Sequence, residues 1–343
     1  MKSVEQSTRT QGTAVRVPPG GIGVATDPDV FACHLCGEGT YRVIFDARNT
    51  LDDASRLVTP SSYACTTRLT SAGLRVVECR TCGLRVLHPL PDAAAVEHAY
   101  ENVEDPDYLA LEQQRVVTFH RLLDRIAQDR RPPGTLLDVG CYTGLFPNMA
   151  LANGWDAVGV EPSRWAVETA VARLPGRIVH ADMRTAPFPD ASFDVVTAWD
   201  VIEHVTDLRA DLQALVRLLR PQGYLYLSTM KSDALIARLL GARWPWYIPM
   251  HRYYFTPRTI RGLLASAGLA VRAIEPYPHY TTLGYICTKL EEGFFGPVAR
   301  IAGAAVRALG IADRTVRVNL GDVMLIVAQR VDDERSPSAG DAG

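Results

Sequence analysis

Between residues 135 and 228, short apolar runs of strand character alternate with stretches of helical period, and no other feature narrows the possible folds so far. Strands are predicted at Thr135–Val139, Asp156–Val160, Arg177–His180, Phe193–Ala198 and Gly223–Ser228, with helices between them. Consecutive parallel strands need a crossover, and repeated helical crossovers cover both faces of the sheet. The expected fold is therefore α/β, a doubly wound and mostly parallel sheet. Val323–Ala328 is expected to add an antiparallel strand at or near an edge. Residues 231–290 hold many aromatics and read as a substrate lid or insertion.

The flanking regions divide by composition. Residues 1–28 and 332–343 carry too few apolar side chains to offset the entropy of ordering, and both are expected to be disordered tails. Val116, Phe119, Leu123 and Ile126 recur on one helical face, so 93–134 reads as a helical linker or cap ending at Arg-Pro-Pro-Gly (131–134). Residues 135–331 then form the main domain. With 47% hydrophobic and 22% charged residues, the composition is that of a soluble globular protein, and a net charge of −2 gives no electrostatic reason to expect nucleic acid. No run of 18 uninterrupted apolar residues predicts a membrane span, and Arg300 and Arg307 interrupt the nearest candidate at 294–311. The first 30 residues lack the apolar core of an export signal, so a cytoplasmic protein is expected.

Four of the seven cysteines form two Cys-x-x-Cys pairs, Cys33/Cys36 and Cys79/Cys82, each followed directly by glycine. Four thiolates at this spacing suit a closed, tetrahedral, structural zinc site, with 29–92 as a small zinc-binding module. The 42 residues between the pairs exceed the usual ribbon spacing. Two unrelated redox or core pairs are the plainer alternative. Cys65, Cys141 and Cys287 read as ordinary small residues.

Three acids follow in order at predicted strand ends. Asp138 precedes the turn Gly140-Cys-Tyr142-Thr-Gly144, where missing side chains let backbone approach a ligand. A carboxylate there repels a pyrophosphate and suits an amino group or hydroxyl. About 20 residues on, Glu161-Pro162-Ser163 ends the second strand, where an acid accepts from ribose hydroxyls. Asp182 and Met183 follow the third, placed to accept from an adenine amino group and to lie against its ring.

The run from 135 to 230 resembles the core of class I S-adenosylmethionine-dependent methyltransferases. Asp-Val-Gly-Cys-Tyr-Thr-Gly (138–144) is similar to its first motif, 193–205 to its fourth-strand motif and 218–225 to its turn into the fifth strand. The resemblance implies a Rossmann-like fold and S-adenosylmethionine held by Asp138, Gly140, Tyr142, Gly144, Glu161, Pro162, Ser163, Asp182, Met183 and Asp200. Tyr142 stands where the family has a middle glycine, so its ring must leave the loop or narrow the pocket. Gln222 replaces the first glycine of a Pro-Gly-Gly turn. The two cysteine pairs resemble an N-terminal module of methyltransferases acting on sugars and secondary metabolites.

Methyl transfer needs alignment, and a hydroxyl or carbon acid also needs a base. Asp200, Glu203 and His204 share one face if a helix begins near Asp200. Glu203 and His204 then serve as base and orienter. Alternatively the trio holds a divalent ion such as Mg²⁺, since Asp-x-x-Glu-His resembles the Glu-x-x-Glu-His of quinone-pathway O-methyltransferases, or the histidine merely packs beside a capped helix. His251 lies in an aromatic run, 244–255, that suits an acceptor pocket or a core. The expected activity is O-methylation of a small molecule: a sugar, a glycan precursor or a secondary metabolite. C-methylation of a nucleotide-linked keto-sugar and a non-catalytic cofactor-binding protein are the alternatives.

Overall fold

In the computed structural model, residues 32–47, 58–66, 71, 73–291 and 296–331 are described. The two expected tails, 1–28 and 332–343, lie outside these residues. The chain enters through strands β1 (Tyr41–Asp46), β2 (Arg75–Cys79) and β3 (Arg85–Leu87), then helices α1 (Ala93–Glu101) and α2 (Asp107–Asp129). Next come β4 (Thr135–Val139), α3 (Leu145–Ala152), β5 (Asp156–Glu161), α4 (Arg164–Arg173), β6 (Ile178–His180), β7 (Phe193–Trp199), α5 (Leu208–Leu218) and β8 (Leu219–Met230). The last third adds α6 (Leu235–Leu240), the short β9 (Tyr253–Tyr254), α7 (Pro257–Ser266), β10 (Leu269–Pro276) and β11 (Tyr280–Thr282). Helices α8 (Leu283–Glu291) and α9 (Gly296–Ala308) and strands β12 (Thr315–Arg317) and β13 (Val323–Arg330) complete it.

Seven strands form the main sheet in the order β10-β13-β8-β7-β4-β5-β6. From β6 across to β8 every neighbouring pair is parallel, and β13 runs antiparallel to both β8 and β10. This is the doubly wound, mostly parallel Rossmann-like sheet expected from the alternation. Leu136, Leu137, Val195 and Val196 are all fully buried, because helices cover both faces and each strand must be apolar on both sides. Helix α5 shows how a crossover helix is held. Asp207 caps it by accepting from the amides of Arg209 and Ala210 at 3.1 Å, while Leu208, Leu212 and Leu215 turn one stripe into the core. Burying each such leucine contributes about 1.5–3 kcal/mol.

One expectation needs correction. Residues 257–276 are not lid: α7 buries Ile260, Leu263 and Leu264 in the main core, and β10 is the sheet's edge strand. Aromatic density in 231–290 hid that strand, whose half-exposed edge position left only a weak alternation. The antiparallel strand β13 lies one place in from that edge.

The cysteine-bearing strands form the small antiparallel sheet of the N-terminal module and take one further strand from the main domain. Their order is β1-β2-β3-β9, so the fourth strand comes from far along the chain, with Arg85 opposite Tyr254 and Val86 opposite Tyr253. Cys33, Val77, Cys79, Leu84 and Val86 belong to the same apolar cluster as Leu137, Val196 and Leu227 of the main sheet. One core therefore runs under both sheets.

Candidate active site

From β4 the chain winds outward through β5 and β6, then returns to lay β7 on the other side of β4. Such a reversal leaves a crevice beyond the carboxyl ends of the two central strands. A cavity of about 920 Å³ opens there, walled by the ends of β4, β5 and β7 and roofed by residues of α1, α2 and the 59–66 segment.

Backbone geometry explains the loop at its floor. Gly140 has φ +67°, and a Cβ there would lie 2.8 Å from Cγ2 of Val201, so only glycine fits. Tyr142 also takes a left-handed φ, +49°, the conformation the family's glycine adopts freely. Its ring leaves the loop. The hydroxyl donates to Asp105 at 3.1 Å, and the ring packs edge-on against Tyr108 at 4.5 Å. Asp105 also accepts from the amide of Thr66 at 3.1 Å and from its hydroxyl, pinning the roof to the loop. Gln222, the other departure, likewise stands at positive φ, +61°.

The strand-end acids differ in environment. Asp138 is buried and accepts from the Thr197 hydroxyl at 2.6 Å, and burial pushes its carboxyl up to about 8. Glu161 accepts from the amides of Tyr142 and Ser163, both at 2.8 Å, and burial raises it to about 7. Asp182 is half-exposed, and its Oδ1 closes a turn by accepting from the amides of Arg184 at 2.6 Å and Thr185 at 2.9 Å. Met183 is buried beside it. Asp138, Gly140, Tyr142, Glu161, Pro162, Asp182, Met183 and Asp200 all line the cavity. Gly144 and Ser163 are not among its lining residues. Gly144 is the N-cap of α3, with Ala170 3.1 Å from where its Cβ would be, and Ser163 caps α4 while its hydroxyl donates to the Val103 carbonyl at 3.1 Å.

No helix begins at Asp200. Residues 200–206 are turns and α5 starts at Leu208, because Asp200 adopts φ +54° and the capping residue is Asp207. The side chains of 200, 203 and 204 therefore do not share a helical face. Asp200 accepts from the Ser228 hydroxyl at 2.6 Å. Glu203 and His204 instead meet His251, with one ligand atom from each of the three lying within 4.8 Å of the others. His204 Nε2 stands 4.0 Å from Glu203 Oε1. Its Nδ1 donates to the Met250 carbonyl at 2.9 Å, and Nδ1 of His251 donates to the Trp246 carbonyl at 2.8 Å. Those bonds fix both tautomers and leave each Nε2 with a lone pair. Burial holds His204 down near 4 and His251 well below the ordinary range. Both imidazoles line the cavity. Glu203 is 1% exposed, neither of its oxygens has a hydrogen-bond partner, and burial and then Asp200 push its carboxyl well up.

The 244–255 run divides between core and wall. Trp244, Tyr253, Tyr254 and Phe255 are core, whereas Trp246, Ile248, Met250 and His251 face the cavity. Arg115 was missed by sequence reasoning, since a charge on an amphipathic helix reads as an outer face. It lines the cavity with its guanidinium over the Tyr108 ring at 4.9 Å. Tyr100, T-shaped against His204 at 6.0 Å, buries an unpartnered hydroxyl beside the cluster.

Away from the cavity, the four paired cysteines converge. Cys33 and Cys82 sulfurs are 3.5 Å apart, those of Cys36 and Cys79 are 3.6 Å apart, and all four lie within 4.8 Å of one another. Zinc–thiolate bonds of about 2.3 Å put tetrahedral sulfurs roughly 3.8 Å apart, so the cluster is consistent with a zinc site. Arg209 of α5 donates to the Leu35 carbonyl at 2.5 Å, and the Tyr253 hydroxyl bonds His34 Nδ1 at 2.6 Å, which ties the knuckle to α5 and to β9.

A family model described as a methyltransferase domain matches residues 109–274. The chain is 32% identical over 195 residues to the 27-O-demethylrifamycin SV methyltransferase of Amycolatopsis mediterranei, covering 51% of this chain and 68% of that protein. It is 28% identical over 163 residues to the ubiquinone biosynthesis O-methyltransferase of Aeromonas salmonicida, covering 43% and 67%. Among solved structures, it is similar to a SAM-dependent methyltransferase from Archaeoglobus fulgidus at 19% identity and a TM-score of 0.46, covering 66% of this chain and 100% of that one.

Proposed function

Because the chain belongs to the class I S-adenosylmethionine-dependent methyltransferases, we propose that it methylates a hydroxyl of an apolar secondary metabolite bound beside Glu203, His204 and His251. The observation that carries this reading is that two imidazoles, one buried and one part-buried, each with a free Nε2, face the same cavity as the strand-end acids. In the reaction the acceptor oxygen attacks the methyl carbon as the carbon–sulfur bond breaks toward sulfur. The cluster draws off the hydroxyl proton. Trp246, Ile248 and Met250 give that part of the wall an apolar character that suits a phenolic or polyketide acceptor better than a bare sugar. Two relatives named for O-methylation favour oxygen over carbon as the acceptor atom.

In this reading Glu161 accepts from the donor's ribose hydroxyls, Asp182 and Met183 hold its adenine, and Gly140 and Tyr142 lie under its methionyl part. Asp138 and Asp200 face the amino group, with Arg115 on the carboxylate. Cys33, Cys36, Cys79 and Cys82 hold a structural zinc.

Incubating the protein with methyl-labelled donor and a panel of phenolic and polyketide hydroxyl compounds should give an O-methyl product by mass spectrometry and proton–carbon correlation. Label found only on carbon or nitrogen would overturn the oxygen assignment. The donor site has its own test in pH. Two ribose hydroxyls donate together, in charge-assisted bonds, only to an ionised Glu161, whose carboxyl sits near 7 in the free protein. Binding therefore expels its proton, and donor affinity should rise roughly tenfold between pH 6 and pH 8 from Glu161 alone, with Asp138, near 8, adding to the rise in the same direction. Calorimetry should show weaker, flatter binding in Glu161→Gln. A pH-independent dissociation constant in the unaltered protein counts against the assignment.

A further inference from the structure

The Glu203–His204–His251 cluster has a feature that an acid–base pair does not need. Neither buried Glu203 oxygen receives a hydrogen bond of normal geometry, with only the Thr229 hydroxyl close by as a side-chain donor, which is costly for a carboxylate unless a cation or a proton compensates. Both imidazoles are fixed from behind by backbone carbonyls, the usual support of a metal-ligating histidine. Such support orients each Nε2 lone pair outward from its carbonyl. Asp200, which sequence spacing groups with Glu203 and His204, accepts instead from Ser228.

We propose that Glu203, His204 and His251 bind a divalent transition ion of the zinc class, separate from the cysteine site, with its open coordination positions toward the acceptor. Two nitrogens and one carboxylate form a donor set that binds catalytic zinc, whereas Mg²⁺ prefers an all-oxygen shell. Tetrahedral bonds of about 2.1 Å place ligand atoms roughly 3.4 Å apart. The three ligand atoms now lie within 4.8 Å of one another, with 4.0 Å between His204 and Glu203, so the side chains need close by roughly 0.6 Å at that pair and by at most about 1.4 Å elsewhere. His204 and His251 line the cavity and Glu203 lies behind them, which makes the cavity side the open one. An ion at this point lowers the pKa of a coordinated hydroxyl. That catalytic part rests on the methyl-transfer reading above; the binding itself does not.

The test is Co²⁺ titration of the full-length protein with its cysteine site already filled with zinc. The expected result is one Co²⁺ per chain, a visible ligand-field band without sulfur-to-metal charge transfer, displacement by Zn²⁺ and none by millimolar Mg²⁺. Glu203→Gln, close in shape to the parent, should weaken Co²⁺ binding at least about tenfold, and His251→Ala should abolish the band. Circular dichroism establishes that each variant folds, and the unaltered protein alone already decides whether the stoichiometric site exists. Absence of the band in the unaltered protein, or a band unchanged in folded Glu203→Gln and His251→Ala, overturns the proposal. Either outcome leaves donor binding and methyl transfer to be judged by their own assays.

Discussion

His204→Ala is expected to slow methyl transfer by roughly 10²–10⁴-fold, the range for loss of a group that handles the acceptor's proton. The donor dissociation constant should stay nearly unchanged. These two outcomes separate because the Nδ1 of His204 is held by the Met250 carbonyl and not by any residue assigned to the donor. Its neutral state at pH 7 follows from burial, which holds it near 4. A single-turnover assay at saturating donor reads the chemical step, and calorimetry reads donor binding. Full activity in a folded His204→Ala protein would move the proton-handling role to His251. A large loss of donor affinity would instead make His204 part of the donor pocket.

Cys79→Ser should break the proposed zinc site and unfold the whole protein cooperatively, not the cysteine segment alone. Spacing by itself suggests a detachable module whose loss spares the main domain. The structure argues otherwise, since Cys79 is 1% exposed and shares an apolar cluster with Leu137, Val196 and Leu227. Structural zinc supplies about 10–16 kcal/mol in small zinc-binding peptides, comparable with the roughly 5–15 kcal/mol total stability of a typical domain. Losing one of four thiolates should therefore lower the unfolding temperature steeply, in one transition seen alike by near- and far-ultraviolet circular dichroism. Metal analysis should find the cysteine zinc gone. Two separate transitions, with donor binding intact between them, would restore the detachable module.

The parallel sheet was legible because burial on both faces imposes a pattern that local sequence must carry. Thr135–Val139 appears with the predicted limits, and Phe193–Ala198 extends by one residue. The strand-end acids were legible for the same reason, since the end of such a strand is also a place in space. What failed was anything decided by distant partners. A helix at Asp200 is locally reasonable, but the Ser228 hydroxyl and a left-handed backbone at Asp200 set turns there instead. His251 could be suspected from its aromatic surroundings. Its meeting with Glu203 depends on the Glu203 carbonyl accepting from the amides of Arg252 at 2.8 Å and Tyr253 at 3.2 Å, which no local pattern records. Gly144 and Ser163 sit in the right motifs, yet serve helix ends behind the cavity.

Strand Tyr253–Tyr254 bears on how such a protein can be recombined. It begins two residues after His251, accepts β3 as its partner in the cysteine-bearing sheet, and stands on the Glu203 carbonyl. A chimera that takes residues 33–92 from one homologue and 200–255 from another would place its crossover through the β3 pairing while keeping the Glu203 contact whole. Each half could be well formed in its parent and still meet the other out of register, tilting His251 away from His204. Acceptor preference should therefore transfer between homologues only when these two segments travel together as one inherited block.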